Sequence, residues 1–132
     1  MAKNTYFYAL GRRKSATARI RLQSGKGVIT INGHTAEEYF AASKYLLTRL
    51  QQPFVTLDIV DKFDVSAVVS GGGHEGQVEA IRLGISKTLV ALNEDYKSTL
   101  KRADLLSRDS REKERKKFGL KGARKQRQFT KR

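Results

Sequence analysis

A chain of 132 residues is long enough to bury one hydrophobic core and short for two, so a single domain with an appendage is the expected plan. Its 27 Lys and Arg stand against 13 Asp and Glu, a formal net charge of +14 that repels itself unless an anionic partner lies against it. The absence of cysteine excludes disulfides, thiolate zinc sites and cysteine nucleophiles together and fits a reducing compartment.

Residues 1 to 10 hold one Lys and alternate aromatic with smaller side chains, unlike the continuous apolar stretch of a secretory signal. Nowhere do about 18 apolar residues follow one another, so no spanning helix is expected and a soluble, cytoplasmic protein is. The charge divides unevenly: residues 1 to 100 hold 13 basic and 9 acidic side chains, residues 101 to 132 hold 14 and 4. From Arg115 to Arg132 nine cations occur without one acid, and four apolar side chains besides glycine cannot build a core. The expected division is a globular domain over residues 1–105 and an extended basic tail over 106–132.

In chain order, Tyr6, Tyr8 and Leu10 alternate with Thr5, Phe7 and Ala9, and Ala16, Ala18, Ile20 and Leu22 alternate with Thr17, Arg19, Arg21 and Gln23. Period two predicts two strands. Ser24 to Gly27 supplies turn residues before the strand Val28 to Ile31, which predicts a hairpin between the second and third strands. Thr35 and Glu38 have capping-box spacing ahead of a short helix over Ala36 to Phe40. Ser43 caps a second helix carrying Leu46, Leu47 and Leu50, expected to finish before Pro53 with Gln52 extended.

Phe54 to Val60 and Phe63 to Val69 are rich in β-branched and aromatic residues and are joined by Asp61-Lys62, which predicts an antiparallel pair in the main sheet. The longest helix is expected from Gly76 to Asn93, with Val78, Ile81, Ile85, Leu89 and Leu92 on one face and a Glu79–Arg82 surface pair. These elements make an α+β, two-layer sandwich: a four- to five-stranded mixed sheet with helices on one face. Asp109 to Phe118 has no breaker and can form a short polar helix within the tail.

Two basic features point to RNA. In the tail, Arg108, Arg111, Arg115, Lys116, Lys117, Lys121, Arg124 and Lys125 alternate with glycines and occasional aromatics. Neutralised phosphates release counterions, so such a segment binds RNA strongly at low salt and is expected to order on it. No broad apolar face opposes these cations, as a membrane-surface helix would need; a purely solubilising tail is the plainer alternative. On the domain, Gly11-Arg12-Arg13-Lys14 lies between two predicted strands, and Arg19 and Arg21 share one face of the second. Taken alone, that patch is equally the ordinary outward face of a half-exposed sheet.

Signals for catalysis are weak. Gly71 to Gly76 fits GxGxxG, follows a strand and opens a helix, but a dinucleotide site needs a parallel βαβ unit with an acidic residue ending the next strand. The glycines read as a flexible turn, and the alternative left to them is a helix N-terminus whose free N–H groups meet an RNA phosphate. His34 and His74 are isolated from nucleophiles and read as surface residues, and Asp58, Asp61 and Asp64 read as turn residues. No metal site, cofactor or small-molecule substrate is expected, and no enzymatic activity.

Three strings, GRRKSATARI at 11–20, GQVEAIRLGISKTLVAL at 76–92 and LLSRDSREKERKKFGLKGARKQRQFTKR at 105–132, resemble the family of bacterial small-subunit ribosomal protein nine. The resemblance spans nearly the whole chain. It implies the fold typified by the second domain of small-subunit ribosomal protein five, with a left-handed βαβ crossover. It also implies binding to 16S ribosomal RNA in the subunit head beside other head proteins, with the tail reaching the P-site tRNA anticodon stem-loop.

In that terminal segment Gln128, Phe129, Thr130, Lys131 and Arg132 match the family pattern; Gln128, Thr130, Lys131 and Arg132 are the implied tRNA contacts, Lys131 and Arg132 on its backbone. Thr130 stands where serine is usual, Arg127 where many relatives have proline, Asp104 where glycine is usual, and His34 where Arg or Lys is common. A different class sharing this fold and charge is the protein subunit of ribonuclease P, which would lack the terminal Lys-Arg.

Overall fold

The computed structural model describes residues 6–41 and 43–106; the tail expected from the sequence, including its short polar helix, lies outside the described residues. Five strands, β1 (Phe7–Arg13), β2 (Ala16–Ser24), β3 (Ile29–Ile31), β4 (His34–Thr35) and β5 (Phe63–Ser70), form one mixed sheet in the order β1-β2-β5-β3-β4. Four helices are described: α1 (Ala36–Tyr39), α2 (Lys44–Thr56), α3 (His74–Leu92) and α4 (Tyr96–Arg102). The α+β architecture expected from the pattern is the one observed, with α3 laid across β1, β2 and β5, and α2 and α4 against α3.

The strand alternation places Ala16, Ala18, Ile20 and Leu22 of β2 and Val65, Ala67 and Val69 of β5 on the helix-covered face, all buried. β1 pairs antiparallel with β2, from Phe7 opposite Leu22 to Arg13 opposite Ala16. The expected β2–β3 hairpin does not form. β5 lies between them, antiparallel to β2 and parallel to β3, and β3 turns back on β4 instead. The physical reason is visible at Ser24 to Val28: the Asp64 carboxylate at the start of β5 accepts from the backbone N–H groups of Lys26 (2.9 Å), Gly27 (3.1 Å) and Val28 (2.9 Å). The loop wraps the end of β5 rather than closing a tight turn.

A second correction concerns α2, which runs through Pro53 to Thr56 rather than stopping at Gln52. Proline in a helix removes one backbone hydrogen bond, but continuing buries Pro53 and Phe54 beside Leu50 in the core. A Schellman motif then ends the helix. Asp58 takes φ +55°, its N–H donates to Val55 O (3.1 Å), and Ile59 N–H donates to Phe54 O (2.9 Å) with both side chains buried. Phe54 to Val60, expected as a strand, is therefore a helix end and its cap, and the place of a fifth strand is taken by β4.

Thr35 caps α1 as its spacing predicts, its hydroxyl accepting from the Glu38 N–H. In α3 the predicted stripe is fully buried at Val78, Ile81, Ile85 and Leu89, while Leu92 at the helix end is half-buried. The helix starts two residues before the expected Gly76. Ser86 and Thr88 are buried as well, because α2 and α4 cover its back, and their hydroxyls donate to the Arg82 and Ile85 carbonyls (2.9 and 2.6 Å). The expected Glu79–Arg82 pair is absent: Arg82 donates to Gln52 Oε1 (2.5 Å), and Glu79 turns to Arg13 and Arg49. The short α4 was not foreseen; it buries Leu100, and Leu105 folds back beside it.

Candidate RNA-binding surface

Because side chains alternate across a strand, the residues of β1, β2 and β5 that do not enter the core form one outer face. None of the described helices covers it. Its register sets the pattern: Tyr8 stands opposite Arg21 and Arg21 opposite Ser66, while Leu10 stands opposite Arg19 and Arg19 opposite Val68. Tyr6, just before β1, carries the Arg21 guanidinium 5.1 Å from its ring centre. Together Tyr6, Tyr8, Arg19, Arg21, Ser66 and Val68 line a depression of about 410 Å³.

Arg12 is exposed next along β1, and Lys14 is exposed at the β1–β2 turn, where its φ is +54°. Arg12, Lys14, Arg19 and Arg21 thus all lie open to a partner, as their positions in the sequence predict. Asp64 lies at the rim of this face. Its carboxyl is held below the ordinary range, first by the hydrogen bond from the Val28 N–H and then by those from Lys26 and Gly27, which together outweigh the opposing effect of desolvation. It stays ionised, with three backbone N–H groups directed at one oxygen.

Arg13 departs from the expected patch. Odd-numbered positions of β1 face α3, so its side chain is buried and its guanidinium donates to the Glu79 carboxylate. Glu79 is shared with Arg49 of α2, which also lies 3.5 Å from Glu75. Burial pushes the Glu79 carboxyl up, but the hydrogen bonds and charges of Arg49 and Arg13 prevail and hold it below its ordinary value. This network joins β1, α2 and α3 from inside and places Arg13 away from the outer face.

The Gly71 to Gly73 turn does follow β5 and open α3. Gly71 and Gly72 have φ of +76° and +65°, and Gln77 Nε2 donates to Gly71 O (3.0 Å) while its Oε1 accepts from Tyr39 (2.8 Å). The turn is pinned rather than loose. No strand follows α3 among the described residues, so the parallel unit that a dinucleotide site requires is missing. A larger hollow of about 640 Å³, between β3 and α2, is lined by apolar residues together with Thr35, Glu37, Thr48 and Gln51, holds no cation and adds nothing to the basic face.

His34 and His74 are both exposed, His34 3.7 Å from Glu38 and His74 against the rings of Tyr39 and Phe40. Arg108, Arg111, Arg115, Lys116, Lys117, Lys121, Arg124, Lys125, Gln128, Thr130, Lys131 and Arg132 lie outside the described residues. Sequence reasoning overlooked Tyr6, Tyr8 and Val68 as part of the face. The signal was present, since period two puts Tyr6, Tyr8 and Leu10 on the same side as Arg12.

The family model described as ribosomal protein S9/S16 matches residues 11–132, which include all four exposed cations and the basic tail. The chain belongs to the ribosomal protein S9/S16 family. It is a ribosomal, RNA-binding protein of translation and of the small subunit, with ribosomal RNA and ribosomal proteins as its partners. The S9/S16 family is a structural, non-enzymatic kind. The match opens at Gly11, leaving Tyr6, Tyr8 and Leu10 outside it.

Proposed function

We propose that the chain is a structural constituent that fastens 16S ribosomal RNA in the head of the small subunit and catalyses no reaction. Residues 1–105 act as the anchoring domain and 106–132 as an arm. The reading is carried by the outer sheet face, where Arg12, Lys14, Arg19 and Arg21 stand exposed without a carboxylate partner among the described residues. Phosphates drawn together by RNA folding repel one another, and cations fixed on a rigid sheet relieve that repulsion at defined positions. The arm's nine cations from Arg115 to Arg132 extend the same neutralisation. Its last residues, Gln128, Thr130, Lys131 and Arg132, give a sequence-independent grip on the backbone of P-site tRNA, and the neighbouring head proteins pack beside the domain. The site of action is the cytoplasmic ribosome.

Sedimentation of a lysate through moderate and then high salt, following the chain by mass spectrometry, tests this. Retention on the small subunit through the salt wash is expected. Migration with a small RNA particle that cleaves precursor tRNA on reconstitution would replace this reading with the ribonuclease P class.

A further inference from the structure

The outer sheet face carries more than charge. Tyr6, Tyr8 and Val68 are 47%, 50% and 57% exposed, between the two arginines of the same surface. Phosphate neutralisation alone calls for cations and gives these apolar groups nothing to do. Large exposed apolar groups gathered in one place mark a surface that a partner covers.

We infer that this face holds unpaired ribonucleotides, with a base laid on Tyr8 and its neighbouring phosphates on Arg19 and Arg21. The inference rests on the RNA-binding reading above and names the form of RNA that the face takes. The apolar groups of the strands each have a cation directly across the ladder, Tyr8 with Arg21 and Leu10 or Val68 with Arg19. Residues two apart on one strand face are about 6.8 Å apart. A single-stranded nucleotide chain repeats the same pair of chemistries, one apolar plane and one negative charge per unit, and aromatic side chains stack on any base. Duplex RNA hides its base planes inside the stack and offers only phosphates and groove edges.

The ring of Tyr6 is already engaged by Arg21, which orders that guanidinium over the sheet. Tyr8 makes no ring contact or side-chain hydrogen bond among the described residues, so its ring is free for a base. The rim acid Asp64 is turned toward the loop at 26–28, whose three backbone N–H groups it accepts from.

The test uses the full chain and two probes at moderate salt, an unstructured oligouridylate and an RNA duplex of equal length, with affinity read by fluorescence anisotropy. Every variant keeps the same tail, so its sequence-independent contribution cancels in the comparison. Tyr8→Ala should weaken binding of the single strand about fivefold or more, the lower end of what one stacked base contributes, and leave the duplex within about twofold. Tyr8→Phe, which keeps the ring, should bind both like the parent. Equal losses on both probes, or no loss on either, overturns the inference, and the second result gives the face to a protein neighbour. If the parent chain binds neither RNA, the RNA-binding reading itself falls.

Discussion

Arg13 donates to Glu79 from inside the domain, one residue away from an Arg12 that points to solvent. The two neighbours therefore have separable roles. Arg13→Ala leaves Glu79 with Arg49 alone in a largely buried place and should cost about 2 kcal/mol, below the full cost of breaking an isolated buried pair. In a domain of this size that lowers the thermal midpoint by roughly 10 °C. Arg12→Ala should hold the midpoint but reduce the slope of log affinity for RNA against log salt by about one phosphate contact. A scan of thermal melts beside a salt titration checks both. Equal melting shifts for the two variants would refute the division.

Glu79 also makes stability depend on acid. Its folded carboxyl is held below the ordinary glutamate value, so its contribution is fully present above that ordinary value and is lost as pH falls through the lower folded one. Asp64 follows the same sign. Below about pH 4.5 the melting temperature should fall steeply. Glu79→Gln should melt lower at neutral pH and show a shallower acid limb, while Glu79→Gln with Asp64→Asn should flatten it further. Parallel curves for the parent and Glu79→Gln would show that other groups govern the limb.

The approach of α3 to the sheet depends on two glycines. A Cβ on Gly11 would stand 1.8 Å from the Ala80 carbonyl oxygen and 2.7 Å from the Gly84 nitrogen, while one on Gly84 would stand 2.4 Å from Ile20 Cγ1. Gly84→Ala meets a side chain that can shift and should cost about 1–3 kcal/mol. Gly11→Ala meets backbone and should cost at least the upper end of that range. Urea titration of both variants gives the order. A smaller loss for Gly11→Ala would show that α3 is free to lift from β1.

Other positions are strained in the opposite sense. Asp104 and Ala41 follow helix ends with φ of +59° and +52°, where an L side chain is disfavoured. At Asp104 the cap is a Schellman motif, with Leu105 N–H on Leu100 O (3.0 Å) and Asp104 N–H on Lys101 O (3.2 Å), and its carboxylate opposes the negative end of α4. Asp104→Gly and Ala41→Gly should each stabilise by about 0.5–1 kcal/mol despite glycine's greater unfolded-state entropy. Chemical denaturation reads the sign directly.

These details explain where the sequence was legible. The stripe on α3 and the alternation in β2 and β5 report burial on one side, and each is repeated often enough to be read without tertiary knowledge. Phe54 to Val60 misled because β-branched composition describes a strand and a well-packed helix end equally, and the Schellman cap turns on Asp58 taking a conformation more usual for glycine. The position of β5 between β2 and β3 rests on ladders between distant segments, and the Asp64 contact with a loop 36 to 38 residues away that accompanies them has no local signature. Of the domain's five expected RNA contacts, the sequence alone could not separate Arg13 from Arg12. Alternation says that they face opposite ways, and only the seating of α3 on β1 decides which way is in.

The tail offers the sharpest separation of roles. If the domain and the inner part of the arm hold ribosomal RNA while Lys131 and Arg132 touch only tRNA, deleting those two residues removes two of the chain's 27 cations and leaves the anchoring surface whole. Small subunits carrying the truncated chain should assemble and survive a salt wash like the parent, yet release P-site tRNA faster, by roughly threefold to thirtyfold if two exposed phosphate contacts are worth about 0.7–2 kcal/mol together. The loss should shrink as salt rises, since screening weakens the parent's contacts as well. Filter binding of tRNA to both kinds of subunit across a salt series provides the measurement. Equal tRNA retention at low salt would remove the terminal pair from the tRNA contact, and failure of the truncated chain to enter subunits would place it in ribosomal RNA binding instead.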